Sequence, residues 1–229
     1  MKSATNLDWS HWESRFEWRI SQEGLGDQSD PAHDLAHFRR VVATAKGLAH
    51  QESADLEVVV PAAWLHDLVN VPKNDSRRAQ ASRLSAEAAA QFLTQEGFPA
   101  TKLDAIGHAI EAHSFSAQIE PRTREAMIVQ DADRLDGLGA IGVARMFAVS
   151  GLLRRQLYHL EDPFASQGRE LDDLSVTVDH FYKKLFVTLR TLRTQAGRIE
   201  GERRVAFMRQ YLRELGREIG VPESQVRLD

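Results

Sequence analysis

The stretch PAAWLHDLV, residues 61–69, places a histidine beside an aspartate at the end of an apolar run. Small and apolar residues continue without strand-like alternation, so the pattern favours a helix. A charged Asp67 inside such a helix is costly to bury without a partner. Adjacent helical side chains point about 100° apart, so His66 and Asp67 can flank one point only near a helix end, which residues 69–72 supply. A metal ion would accept both groups, although an isolated His-Asp pair is more often a core histidine beside an exposed acid.

Two more histidines lie upstream, in PAHDLAHFRRV, residues 31–41. His33 and His37 are one helical turn apart and share a face of the predicted helix. Two histidines at this spacing can chelate a metal by themselves. A solvated helix surface carrying both residues is the ordinary alternative.

Three aspartates lie downstream, in QDADRLDG, residues 130–137, directly after an apolar run. Such a run of acids is usually a solvated face or a helix cap, and Arg134 beside it can form ion pairs. The functional interpretation is that one of these carboxylates completes a metal site.

The composition is that of a globular protein with a large core. The chain has 229 residues, of which 42% are hydrophobic and 27% charged, and we expect one domain over residues 1–229. The net charge of −4 does not favour nucleic acid or a membrane surface as a partner. The absence of cysteine excludes disulfides and thiolate ligands, so any metal must bind nitrogen and oxygen. The apolar runs are too short to span a bilayer, and the N-terminal residues lack a signal-peptide core, so we expect a cytoplasmic protein.

The hydrophobic periodicity is helical almost everywhere and predicts an all-α fold. Gly137, Gly139 and Gly142 fall inside a predicted helix, where either a break or the close packing of another backbone would explain them. Leu174, Val178, Phe181 and Leu185 are predicted to mark the core face of a later helix. The predicted helices cover about residues 8–22, 31–51, 53–69, 76–96, 101–112, 121–150, 172–195 and 199–219, with loops at 71–75 and 158–170.

Taken together, these motifs resemble the HD-domain superfamily of metal-dependent phosphohydrolases. The matching words, in order, are His37-Phe-Arg-Arg40-Val41, Leu65-His66-Asp67 and Asp131-Ala-Asp133-Arg134-Leu135-Asp136. Their wider context resembles the YedJ/YpgQ-like branch, strongly over about residues 31–148 and more loosely to the end. The resemblance implies an HD-domain helical bundle with its core at about residues 31–150, and additional C-terminal helices at about 172–219 packed on it.

The resemblance also implies a ligand set for one divalent ion: His37, His66, Asp67 and Asp133. Asp133 is preferred to Asp131 because the family's last ligand usually precedes a Lys or Arg. Asp131 remains the alternative ligand, or it orients a histidine ligand without itself binding the metal. Imidazole and carboxylate together suit Mn²⁺, Mg²⁺, Ni²⁺, Fe²⁺ or Zn²⁺, and the sequence does not choose among them.

His113 is predicted to contact a phosphate or to donate a proton, with a second metal held by His108 and His113 as the alternative. Because phosphoryl chemistry needs cations around the substrate oxygens, the basic stretch after the HD pair is predicted to bind substrate, although it could be a solvated loop. Ser85, Lys183 and Lys184 are further candidates, with plain surface roles as the alternative. The predicted catalytic residues are His66, Asp67, Lys73 and His113, and the predicted substrate contacts are Lys73, Asn74, Arg77, Arg78, Ser82, His113 and Arg134.

For the branch, the resemblance implies a nucleotide pyrophosphohydrolase that converts (deoxy)nucleoside triphosphates to monophosphate and pyrophosphate. A phosphodiesterase or phosphomonoesterase on another small nucleotide, or a nucleotide-sensing module with little turnover, is the alternative. The expected partners are a phosphorylated small molecule and, for the long C-terminal helices, a second copy of the chain. No membrane or nucleic-acid partner is expected.

Overall fold

The fold is all-α, as predicted. The structure, a computed structural model, describes residues 7–22, 34–69, 71, 75 and 77–229. Over these residues the β-pairing consists of one isolated bridge, between Gln156 and Val176. The chain divides into two compact units between Ala132 and Asp133.

A nearly all-apolar helix forms the centre of the first unit. In α3 every residue from Val58 to Leu65 is buried, and it packs against α1, α2, α4 and α5. A helix that is apolar all round is typical of a buried core position. Short 3₁₀ turns, Arg78–Gln80 and Ala100–Lys102, lead into α4 and α5. The helices of this unit are α1 (Trp9–Gln22), α2 (Leu35–Glu52), α3 (Leu56–Leu65), α4 (Ala81–Gln95) and α5 (Leu103–His113), and α6 (Arg124–Asp136) begins in it.

Side-chain caps define where α2 and α3 begin. The carboxylate of Asp34 accepts the backbone N–H of His37 at 2.7 Å, and that of Asp55 accepts the N–H of Glu57 at 2.9 Å. Both aspartates satisfy amides that have no partner inside the helix. Residue 31, where the second helix was predicted to begin, and His33 lie outside the described residues.

The prediction of a single helix over residues 121–150 is wrong, because the structure has two helices there, α6 and α7 (Gly139–Leu152). Gly139, the first residue of α7, has φ 72°, a conformation that favours glycine. A Cβ on Gly142 would lie 2.1 Å from the carbonyl oxygen of Gly137. Both predicted uses of glycine, a break and a close backbone approach, therefore occur here.

The second unit contains α7, a π-helical turn Phe181–Leu185 that continues into α8 (Phe186–Arg190), and α9 (Gln195–Glu218). The helix predicted to begin at residue 172 begins only near residue 179. Leu174, predicted to be buried, is 76% exposed, whereas Val178, Phe181 and Leu185 are buried as predicted. The carboxylate of Asp172 accepts the N–H of Leu174 at 3.0 Å, which holds the chain in a turn.

No single helix among the described residues is long and apolar enough to cross a membrane, and α6 with α7 meets those criteria only as a pair, across a 59° bend.

Candidate metal centre

Three helix ends bring three buried imidazoles together. His37 lies in the first turn of α2, His66 follows the last residue of α3, and His113 ends α5. Their residues are 1%, 0% and 5% exposed, respectively. The centroid of the His66 ring lies 5.5 Å from that of His37 and 4.9 Å from that of His113.

Backbone carbonyls determine which nitrogen of two of these rings carries the proton. Nδ1 of His66 lies 2.9 Å from the carbonyl oxygen of Ala63, and Nδ1 of His113 lies 2.6 Å from that of Ile110. A carbonyl oxygen can only accept, so each Nδ1 donates its N–H. In the neutral ring Nε2 then keeps its lone pair, as a metal ligand requires.

Asp67 lies beside both of these rings. Its Oδ2 is 3.8 Å from Nε2 of His66, and its Oδ1 is 3.4 Å from Nε2 of His113. The arrangement is possible because α3 ends at Leu65 and residues 66–69 turn away from the helical path. A helix end is present, as predicted, but it lies at Leu65, four residues before Val69, and there the adjacent histidine and aspartate lie around one point.

Among the described residues, two groups of three side chains could each hold a metal ion, and within each group the ligand atoms lie within 4.8 Å of one another. One consists of His66, Asp67 and His113, and the other of His37, His66 and Asp133. The four predicted ligands all fall in these groups, and His113 joins them. Asp133, rather than Asp131, is the α6 carboxylate in the set, and its assignment as a ligand stays a prediction.

The donor set fits a divalent cation. Imidazole nitrogens and carboxylate oxygens suit borderline and hard ions such as Mn²⁺, Fe²⁺, Zn²⁺ and Mg²⁺. The hydrogen bonds from Nδ1 of His66 and His113 to backbone carbonyls fix the ring orientations, as is typical of histidines that bind metals.

The segment after the HD pair is tied to α4 by a buried serine. The backbone N–H of Val69 donates to Oγ of Ser85 at 3.1 Å, and Ser85 is fully buried. Further along, Nη1 of Arg78 donates to the carbonyl oxygen of Val71 at 2.7 Å. Ser85 was predicted only as a possible substrate contact. The sequence carries no signal for its structural role, because the contact joins residues sixteen positions apart.

Most predicted substrate contacts already have protein partners. The guanidinium of Arg77 forms two hydrogen bonds with the carboxylate of Asp75, at 3.2 and 2.9 Å, and they hold the pKa of that carboxyl at about 2. Nη1 of Arg134 donates to the carbonyl oxygen of Thr191 at 2.7 Å. Lys73 and Asn74 lie outside the described residues. As substrate contacts, all four stay predictions, as does Arg78.

Ser82 differs from these residues. It is 1% exposed, and its Oγ has no hydrogen-bond partner among the described residues. A buried hydroxyl without a partner is unusual in a folded protein. Its predicted contact with substrate is not tested by this geometry.

His108 belongs to neither candidate metal group among the described residues. Its Nε2 accepts the backbone N–H of Arg122 at 3.0 Å, so this nitrogen is already engaged. Partial burial, and then the charge of Arg122, lower the pKa of this histidine. The structure therefore gives no support to a metal shared by His108 and His113.

The helical core and the imidazole–carboxylate cluster define a class of protein. The HD-domain family model matches residues 34–138, which contain every member of both candidate groups. The chain belongs to the HD-domain superfamily of metal-dependent phosphohydrolases and is an HD-superfamily hydrolase.

Within that superfamily the chain is similar to YpgQ of Bacillus subtilis, with 33% identity over 202 residues, which are 86% of this chain and 89% of YpgQ. The crystal structure of YpgQ in complex with ADP covers 90% of this chain and 97% of its own, at 32% identity and a TM-score of 0.68. The structure of an HD-superfamily hydrolase from Bacillus thuringiensis covers 92% of this chain and 99% of its own, at 26% identity and a TM-score of 0.69. These similarities are consistent with the predicted YpgQ-like branch.

Proposed function

We propose that this hydrolase is a nucleotide pyrophosphohydrolase, which converts (deoxy)nucleoside triphosphates to monophosphate and pyrophosphate with the help of one divalent ion. The buried cluster of imidazole nitrogens around the Asp67 carboxylate carries the proposal. The ADP bound to the similar protein YpgQ supports a nucleotide as the substrate.

The proposed ligands are His37, His66, Asp67 and Asp133. A divalent ion bound by them supplies a Lewis acid that polarises a phosphoryl oxygen and makes a nearby water more acidic. The proposed ion is any one of Mn²⁺, Mg²⁺, Ni²⁺, Fe²⁺ and Zn²⁺, because imidazole and carboxylate do not discriminate strongly among divalent ions.

His113 and Asp67 form the proposed proton-transfer pair. When His113 is protonated, both of its ring nitrogens carry a proton. Nδ1 donates to the carbonyl oxygen of Ile110, and Nε2, 3.4 Å from the Asp67 carboxylate, can donate to a phosphate oxygen. The carboxylate of Asp67 stabilises that protonated ring and can accept a proton from the attacking water.

Polar and cationic side chains, most of them shortly after the HD pair in the sequence, are the proposed phosphate contacts. Lys73, Asn74 and Arg77 follow the pair within ten residues. The exposed guanidinium of Arg77, oriented by Asp75, can offer its remaining N–H groups to a phosphate oxygen. Arg78, Ser82, Arg134 and His113 complete the proposed set.

Product analysis separates this function from its alternatives. The protein is stripped with a chelator, reloaded separately with each candidate ion, and assayed on a panel of nucleoside and deoxynucleoside triphosphates, nucleoside monophosphates and cyclic nucleotides. We expect one pyrophosphate for each monophosphate released. Orthophosphate and a nucleoside, released from a nucleoside monophosphate, would indicate a phosphomonoesterase. A linear nucleotide from a cyclic substrate would indicate a phosphodiesterase.

A matched pair of variants on one helix tests the metal centre. His37 is buried at the start of α2, whereas His50 is exposed near its end. We expect His37→Ala to lose bound metal by elemental analysis and to lose about 100-fold or more in turnover. His50→Ala should keep both the bound metal and the turnover, and its circular dichroism spectrum should equal that of the wild type. If both variants bind metal equally, His37 is not a ligand. If neither the wild type nor His66→Ala turns over any nucleotide, the sensing module is favoured.

A further inference from the structure

The second unit contains a cavity of about 660 Å³, which lies between the end of α7 and the chain from residue 169 to residue 176. This volume falls in the range of small-molecule pockets, about 300–1,000 Å³. Among the residues that line it are Leu153, Arg154, Arg155, His159, Arg169 and Val176. The cavity thus combines guanidinium groups with apolar side chains.

Two of these arginines have no acidic partner among the described residues. Arg154 is exposed, while the Nε of Arg155 is buried and has no hydrogen-bond acceptor. A buried donor of a charged group that lacks an acceptor is strongly unfavourable. Arg155 and Lys184 also add positive charge near His180, whose pKa is lowered first by burial and then by these two cations.

The remaining polar groups hold the cavity wall in place. Arg169 donates to both carboxylate oxygens of the buried Asp179 at 2.6 Å, so its charge is already balanced. Nδ1 of His159 accepts the backbone N–H of Asp162 at 3.2 Å. The proton of the neutral His159 ring therefore lies on Nε2, which makes that atom a donor.

The backbone of Arg154 takes a conformation that normally favours glycine. Its φ is 54°, and it follows α7 at a left-handed cap. In this cap the N–H of Arg154 donates to Gly151 O at 3.1 Å, and the N–H of Arg155 donates to Ser150 O at 3.0 Å. Arginine here costs conformational energy relative to glycine, and it places a guanidinium at the rim of the cavity.

The two acidic residues that line the cavity are exposed, and one of them accepts hydrogen bonds from its own loop. Glu170 and Asp172 both line it and are open to solvent, where their charges are screened. Hydrogen bonds from Ser175 and from the backbone lower the pKa of Asp172. The nearby Asp173 pairs with His180 and with Lys183.

We propose that this cavity binds a phosphate-bearing anion, with Arg154, Arg155 and Nε2–H of His159 as its donors. The site lies entirely within the second unit and uses none of the candidate metal ligands. Leu153, Leu174 and Val176 form an apolar wall that suits the base of a nucleotide.

Calorimetric titration of the full-length protein in EDTA tests this site without turnover. The titrants are orthophosphate, pyrophosphate, a nucleoside monophosphate and the uncharged nucleoside. We expect the phosphates to bind and the nucleoside not to bind. Arg154→Gly and Arg155→Gln should each weaken the binding by about tenfold or more. Arg203→Gln is the control, because Arg203 is exposed on α9 and pairs with Glu200, away from the residues that line the cavity.

Arg154→Gly also separates loss of binding from loss of folding, because glycine suits φ 54° and should keep or raise the Tm. Tighter binding of the monophosphate than of pyrophosphate would identify a nucleotide as the ligand, and the reverse an inorganic anion. The proposal is overturned if no phosphate binds, if either arginine variant keeps wild-type affinity, if Arg203→Gln weakens binding as much, or if the nucleoside binds as well as its phosphate. None of these outcomes bears on the pyrophosphohydrolase activity, which is measured separately with metal.

Discussion

Two histidines on the same helix, α5, differ in the atoms that their Nε2 faces. Nε2 of His113 faces the Asp67 carboxylate at 3.4 Å, whereas Nε2 of His108 accepts a backbone N–H from Arg122. Only the first nitrogen is placed for proton transfer or for metal binding. Residue type and helical spacing do not separate the two histidines, but their contacts do.

A pair of substitutions follows from this difference. We expect His113→Ala to lower kcat by about 100-fold or more, because it removes a positioned acid–base group. His108→Ala should change kcat by less than about twofold, since water can replace its hydrogen bond to the exposed Arg122 amide. Steady-state kinetics on the best triphosphate measures both. Similar losses in the two variants would contradict the role given to His113.

At the scale of single residues, the sequence predicts which side chains gather in the imidazole–carboxylate cluster better than it predicts the contacts that hold the surrounding chain in place. His37, His66, Asp67 and Asp133 stand out because chemistry-bearing residue types recur in an order typical of one superfamily. The hydrogen bond from Val69 to Ser85 and the bonds from Arg77 to Asp75 could not be foreseen. They depend on side-chain conformations and on packing between helices, which no local pattern records.

At the scale of elements, glycine separates α6 from α7. Most of the predicted helices exist, but the pattern over residues 121–150 is helical on both sides of the break. Periodicity alone therefore merges two helices into one. The break depends on the left-handed φ of Gly139 and on the approach of Gly142 to the carbonyl of Gly137, which only the three-dimensional structure shows.

We expect Gly142→Ala to lower the free energy of unfolding by about 3 kcal/mol or more, because its Cβ would meet the backbone oxygen of Gly137 at 2.1 Å. Gly151→Ala is the matched control on α7, where a Cβ meets open space. It should raise the stability by about 0.5 kcal/mol. Urea denaturation measures both changes, and equal effects of the two substitutions would show that the Gly137–Gly142 approach is not rigid.

Periodicity alone also fails to predict where the helical segment that leads into α8 begins, near residue 179. Leu174 fits a helical stripe with Val178 and Phe181, yet the turn at Asp172 and the bridge between Gln156 and Val176 use the backbone there. These hydrogen bonds thus outweigh the helical preference of the stretch around Leu174. The residues joined by these bonds also line the cavity in the second unit.

At the scale of the whole molecule, ion pairs on α9 make stability depend on pH. Hydrogen bonds from Arg203, and next from Arg204, lower the pKa of Glu200 from its ordinary 4.5 to about 2. The carboxylate therefore stabilises the fold fully above pH 4.5, and this contribution is lost as the pH falls toward about 2.

The prediction that the long C-terminal helices pair two copies of the chain stays a prediction.

Glu200→Gln should flatten the acid limb of the stability curve. We expect its urea midpoint to fall less than that of the wild type between about pH 5 and about pH 3, since the variant has no carboxylate to protonate. Glu214→Gln on the same helix is the control, because Glu214 is 52% exposed in its pair with Arg217. Wild-type and Glu200→Gln curves that stay parallel would show that the Glu200 pair does not contribute.

His66 belongs to both groups of candidate ligands, and this has a consequence for stoichiometry. Its Nδ1 is bonded to the Ala63 carbonyl, so a single lone pair, on Nε2, is left for coordination. One lone pair cannot serve two cations, so the two groups cannot each hold an ion through His66 at the same time. A metal titration of the chelator-treated enzyme should accordingly saturate at one tightly bound equivalent, however large the excess of ion.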